Sequence, residues 1–111
     1  MRSGGRLLDE EVFGHVLVLQ PVDIVEEAFA AVNASRYGLQ AGVFTRDLGL
    51  AFWAGEELEV GGVAVGDVPS YRADLMPYGG VKESGQGREG VRAAMHDLTE
   101  EKVLVLTGVR P

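Results

Sequence analysis

Short apolar runs at residues 16–19, 41–45 and 63–65 alternate along this chain with two stretches whose apolar residues recur at helical spacing, and no other feature restricts the fold as much. Strands separated by helices of about ten residues are joined most readily by right-handed crossovers, which set the strands parallel and lay the helices on the sheet. The expectation is an α/β chain built on a βαβαβ parallel-sheet unit.

The first run, Val16-Leu17-Val18-Leu19 between Gly14 and Pro21, suits a strand buried on both faces. A helix follows. Asp23 is placed to cap it, Glu26 stands three residues later as in a capping box, and Val25, Ala28, Phe29 and Val32 form one stripe. Residues 33–38 supply the stop. After the second strand, Asp47 caps a further helix with Leu48, Ala51, Phe52, Gly55 and Leu58 on one face, and Gly61-Gly62 ends it before the third strand. Residues 66–87 have no period and are rich in Gly and Pro, which marks an ordered loop longer than compact domains keep without a use. A third helix is expected over residues 88–98, carrying Val91, Ala94, Met95 and Leu98, and a closing strand over 102–107.

Composition narrows what such a chain can do. With 111 residues it fits one small domain, and a chain of this size hides only roughly two-thirds of its unfolded surface. A net charge of −7 argues against nucleic acid, because phosphate-backbone affinity comes from clustered Lys and Arg. The acids concentrate in residues 1–80, so the near-neutral, glycine-rich remainder is expected to meet another surface. No apolar run is long enough to span a bilayer, and the first residues carry no apolar segment of the secretory kind, so a cytoplasmic location without a membrane partner is expected. Zero cysteines removes disulfides, thiolate metal sites and thiol nucleophiles. His15 and His96 lack partners at metal-ligand spacing, so no metal site is expected.

Gly85-Gln86-Gly87-Arg88-Glu89-Gly90 matches the G-x-G-x-x-G pattern of dinucleotide sites. No strand precedes it directly, and Glu89 would set a carboxylate where a pyrophosphate belongs, so these glycines read as structural. Ser84 is not in a nucleophile elbow, and Lys82 reads as a solvated lysine of a glycine-rich loop rather than an anion ligand. Leu50 and Trp53 fall three residues apart on what the helical stripe makes the polar face, where they suggest a contact surface.

Three motifs, taken together, identify a resemblance. Glu11-Val12-Phe13-Gly14, then Ser35-Arg36-Tyr37-Gly38-Leu39 followed by Ala41-Gly42-Val43-Phe44-Thr45, then Met76-Pro77-Tyr78-Gly79-Gly80-Val81-Lys82-Glu83-Ser84-Gly85 resemble, in order and spacing, the C-terminal motifs of the NAD(P)-dependent aldehyde dehydrogenases. The variant Arg72-Ala73-Asp74-Leu75-Met76-Pro77-Tyr78 looks most like the branch with lactaldehyde and non-phosphorylating glyceraldehyde-phosphate dehydrogenases. The resemblance covers residues 9–106 as a single partial domain, with an unmatched leader at 1–8 and a tail at 107–111. It implies the C-terminal part of a catalytic domain, closed by a C-terminal helix and an oligomerisation strand.

On this resemblance Glu11 hydrogen-bonds the nicotinamide ribose and Phe13 packs near the nicotinamide ring, while on composition alone they are a solvated acid and a core aromatic. Tyr71 and Arg72 belong to the segment resembling the substrate-entrance loop, facing substrate or packing a turn. The final strand, with Val103, Leu104 and Val105, is the one that pairs with a neighbouring subunit in the family. Two positions depart from the pattern: His15 stands where the family has proline, and Gly66 where it has asparagine. The family's nucleophilic cysteine, base glutamate and dinucleotide-binding domain have no counterpart in these residues. The chain alone is accordingly expected to be inactive and to bind no cofactor. Its partners would be a second copy, most simply in a dimer, or a complementary dehydrogenase chain. The alternatives are a non-catalytic interaction module or the remnant of a decayed gene.

Overall fold

Glycine and short apolar segments, rather than a large core, organise this chain, as seen in a computed structural model that describes residues 5–110. Residues 1–4 of the leader and Pro111 of the tail lie outside the described residues. A four-residue helix, α1 (Arg6–Asp9), occupies the rest of the leader, with Arg6 paired to Glu10 at 3.0 Å. Helix α2 spans Val25–Asn33. A two-residue strand β1 (Tyr37–Gly38) and then β2 (Gln40–Val43) lead into α3 (Leu48–Glu57), β3 (Gly62–Val65), β4 (Val81–Lys82) and α4 (Val91–Asp97).

The parallel crossover holds for its second half. Strands β2 and β3 pair in parallel from Gln40↔Gly62 to Val43↔Val65, with α3 between them. Asp47 caps α3 as its sequence requires, its Oδ1 accepting from the amides of Gly49 at 2.8 Å and Leu50 at 3.3 Å. The first strand of the expected βαβαβ unit is absent. Residues 16–19 run without a ladder partner among the described residues, and all four are exposed. An apolar run becomes a buried strand only when a neighbour supplies its hydrogen bonds and both faces are covered, and neither is present here. The same reason accounts for residues 102–107, which form no strand and leave Val103, Leu104 and Val105 exposed.

Three further differences follow from local competition. Helix α2 begins after Ile24, with no side-chain cap, and Glu27 rather than Glu26 reaches back to accept from the Asp23 amide at 3.4 Å. Residues expected only to stop a helix or to form loop pair instead, Tyr37↔Lys82 and Gly38↔Val81, as an antiparallel β1–β4 ladder. On α3 the inner face is rotated from the expected stripe, which keeps Leu58 in the core and loses Leu48 and Phe52. Ala54 and Leu58 are buried with Phe29, and Leu50 and Trp53 pack against them, whereas Leu48 and Phe52 face outward. Both sides of α3 are apolar, so its period does not choose between them; contact with α2 does, through a Phe29–Trp53 ring pair at 4.9 Å.

Among the described residues the buried hydrophobic side chains are Phe29, Ala54 and Leu58, with Gly38 and Gly80 buried beside the backbone crossings. The radius of gyration is 19.6 Å, against about 13 Å for a compact domain of this length. The chain is elongated, with principal-axis extents of 72 × 33 × 24 Å.

Candidate functional site

Gly38, Gly61, Gly79 and Gly80 bring four backbone segments close together, and two concavities form around the place where they meet. At Gly38 a Cβ would lie 2.7 Å from the Glu59 carbonyl oxygen and 2.8 Å from Val81 Cγ2, so only glycine allows β1 to approach β4 and the end of α3. The Gly61 amide donates to the Gly38 carbonyl at 3.0 Å, and Ser84 Oγ accepts from the Gly38 amide at 2.9 Å. Ser84 is a structural tie.

Lys82 differs from its sequence reading. Its φ is +56°, its side chain is 23% exposed, and Nζ donates to the carbonyls of Asn33 at 2.8 Å and Ser35 at 3.3 Å while pairing with Glu59 Oε2 at 3.0 Å. The ammonium therefore closes the C-terminal end of α2, where unpaired carbonyls and the helix dipole favour a cation. Asn33 completes the junction, donating to the Glu57 carbonyl at 2.7 Å and accepting from the Glu59 amide at 2.9 Å.

The larger concavity, about 670 Å³, is lined by Glu11, Tyr37, Gln40, Glu83 and Ser84 among others. Phe13 does not line it and is 95% exposed. Glu11 and Phe13 are thus not brought into one pocket by these residues alone. The second concavity, about 400 Å³, is lined by Gln40, Gly66, Asp67, Tyr71 and Met76 at the C-terminal end of β3. Tyr71 faces it. Arg72 instead turns toward Glu89 and Tyr78 and does not line it.

Gln40 lines both concavities and went unnoticed in the sequence, since it falls between two motifs and resembles neither. With its side-chain nitrogen turned toward the loop, as its surroundings require, it donates to the carbonyls of Pro69 and Tyr71. Gly42 lies beneath the same loop, where a Cβ would meet the Asp67 carbonyl oxygen at 2.7 Å. Residues 67–71 thus lie close against β2. In the G-x-G-x-x-G segment Gly85, Gly87 and Gly90 have φ of +118°, +76° and +119°, which accords with glycines kept for backbone shape. Leu50 and Trp53 belong to the rim of the core, and Val103, Leu104 and Val105 to an exposed extended segment.

Residues 2–104 match the model of the aldehyde dehydrogenase family. The chain is 50% identical over 97 residues to a 3-sulfolactaldehyde dehydrogenase from Priestia aryabhattai, covering 87% of this chain and 20% of that protein. It is 44% identical over 99 residues to a lactaldehyde dehydrogenase from Methanococcus maripaludis, covering 89% and 21%. The crystal structure of an NADP-dependent glyceraldehyde-3-phosphate dehydrogenase from Bacillus halodurans, complexed with NADP, superposes with a TM-score of 0.85 at 39% identity, over 96% of this chain and 22% of that one. The chain spans about a fifth of the length of the curated relatives it matches.

Proposed function

The chain belongs to the aldehyde dehydrogenase family, and from that premise we propose that it is the C-terminal part of an NAD(P)-dependent enzyme oxidising aldehydes to acids, inactive as an isolated polypeptide. One observation carries the proposal. A chain with a radius of gyration of 19.6 Å and three buried hydrophobic side chains among those described nevertheless superposes over 96% of its length on a folded enzyme. Its conformation is the one it would hold against the rest of a subunit.

The chemistry divides accordingly. Family members attack the aldehyde with a thiolate, and a chain with no cysteine cannot form that bond. Glu11 and Phe13 have the chemistry to hold one end of the cofactor once the rest of a subunit brings them together: the exposed carboxylate would accept hydrogen bonds from ribose hydroxyls, and the exposed aromatic face would lie against a flat ring. The bound nicotinamide would supply the hydride acceptor. Tyr71, on the wall of the 400 Å³ concavity, would meet the substrate. Relatives acting on lactaldehyde and 3-sulfolactaldehyde favour a short 2-hydroxyaldehyde.

A second reading, a non-catalytic oligomerisation module, is favoured by the exposed run from Val103 to Leu106. Both readings share one expectation for the isolated chain, and activity on assembly with a complementary dehydrogenase chain separates them. The purified chain is expected to reduce neither NAD nor NADP above a no-protein blank on a panel of short aldehydes, and to bind NAD no more tightly than about millimolar by calorimetry. Reduction above the blank, or micromolar binding, would overturn the division of labour.

A further inference from the structure

One face of the β2–β3 ladder is nearly bare. Gln40 and Gly42 on β2 share it with their register partners Gly62 and Ala64 on β3, while Ala41, Val43 and Val63 turn the other way, toward the core. The chain leaving β3 folds back onto this bare face. At Gly42 a Cβ would lie 2.7 Å from the Asp67 carbonyl oxygen and 3.1 Å from Pro69 Cδ, and at Gly62 a Cβ would lie 3.2 Å from the end of the Gln40 side chain. Glycine at both places lets the Gln40 side chain lie flat on the ladder with the returning backbone beside it. The Gln40 side-chain nitrogen then donates to the carbonyls of Pro69 and Tyr71, the latter at 3.3 Å. The same stretch is a turn, closed by the Tyr71 amide donating to the Val68 carbonyl at 3.1 Å. Two carbonyls converge on one side chain, and a primary amide carries two N–H donors on one nitrogen to meet them; a carboxylate or a thioether carries none.

We propose that Gln40 is a positioning residue: its amide clamps residues 69–71 to the sheet and so sets where Tyr71 stands on the wall of the 400 Å³ concavity. The clamp acts on backbone carbonyls, so it fixes the place from which the Tyr71 side chain projects and leaves that side chain free for a ligand. Gln40 also lines the 670 Å³ concavity that includes Glu11, so a single residue touches both. Every contact of the clamp lies within this chain. That the smaller concavity receives an aldehyde rests on the dehydrogenase reading above; the clamp does not.

Hydrogen exchange on the full chain tests the clamp at the Tyr71 amide. Gln40→Met keeps the length of the side chain and removes both donors. It is expected to speed exchange at Tyr71 by about tenfold, through loss of these hydrogen bonds, with the amides of the β2–β3 ladder unchanged. Gln40→Glu adds a pH signature that lost packing would not give. Its carboxylate would face two carbonyl oxygens, which favour the neutral acid, and the neutral acid regains one donor. Relative to the parent at the same pH, Tyr71 exchange in Gln40→Glu is expected to be fastest near neutral pH and to slow toward the parent's as pH falls, while in Gln40→Met the ratio stays flat. Unchanged Tyr71 exchange in both variants, or ladder amides that speed up as much as Tyr71, overturns the clamp. A second readout uses the chain assembled into an active enzyme with a complementary portion of a relative. There both variants are expected to raise KM for the aldehyde, with kcat and the KM for the cofactor retained. Equal rises in the two KM values, or an aldehyde KM that stays fixed while Tyr71 exchange speeds up, overturns the positioning role. Faster Tyr71 exchange in a chain that assembles no activity supports the clamp and counts against the dehydrogenase reading alone.

Discussion

The Phe29 ring of α2 and the Trp53 ring of α3 meet with centroids 4.9 Å apart and planes tilted by 56°, and this pair joins the helices above the β2–β3 ladder. Phe29 is buried, so its truncation removes apolar burial and opens a gap beside Ala54 and Leu58. Phe29→Ala is expected to lower stability by about 3 kcal/mol. Urea unfolding followed by the fluorescence of Trp53, the single tryptophan, measures it. An unchanged midpoint and emission maximum would mean that the pair does not organise the core.

Lys82 ties α2, β4 and the end of α3 through one ammonium. Lys82→Met keeps most of the aliphatic stem and removes every polar contact. The loss is expected to be about 1–2 kcal/mol, because two helix-end carbonyls and a carboxylate lose a charged donor. Thermal unfolding at low and high salt checks it, and a variant as stable as the parent at both would refute this role.

Two glycines give opposite expectations for the same substitution. Gly38→Ala forces a methyl against the Glu59 carbonyl and Val81, and is expected to cost about 2 kcal/mol or more. Gly55→Ala, inside α3 with open space around it, is expected to stabilise by about 0.5–1 kcal/mol. Equal effects at the two sites, read by the same unfolding curves, would contradict the close packing of β1 on β4.

The exposed segment from Val103 to Leu106 is expected to associate with a second copy in the isolated chain, most simply as a two-fold dimer. Sedimentation velocity at high micromolar concentration should show the dimer, and Leu104→Lys should shift it toward monomer. A monomer throughout, or a dimer insensitive to Leu104→Lys, would remove this segment as the interface.

The sequence made legible what is decided locally. Asp47 as a cap, the β2–α3–β3 order and the structural glycines at 85, 87 and 90 all follow from rules that act within a few residues. What depends on a distant neighbour was not legible. The apolar run at 16–19 carries a strand pattern, but a pattern supplies no partner. Trp53 read as surface because α3 is apolar on both sides, and only Phe29 on another helix decides which side is inner. For the site, the motifs led to Tyr71 and Arg72 but not to the different directions they take, since Arg72 turns to Glu89, seventeen positions along the chain. Gln40 and the cap made by Lys82 likewise depend on contacts across the loop, which no spacing rule encodes.

Complementation tests the central claim most directly. The chain is matched by one-fifth of the 3-sulfolactaldehyde dehydrogenase relative, so that relative can be made without its own matching segment and co-expressed with residues 1–111. If this chain is the C-terminal part of such an enzyme, the two polypeptides co-purify and oxidise short 2-hydroxyaldehydes with NAD or NADP, while each alone does not. Co-purification without aldehyde oxidation, or oxidation by the 111-residue chain alone, would contradict the account.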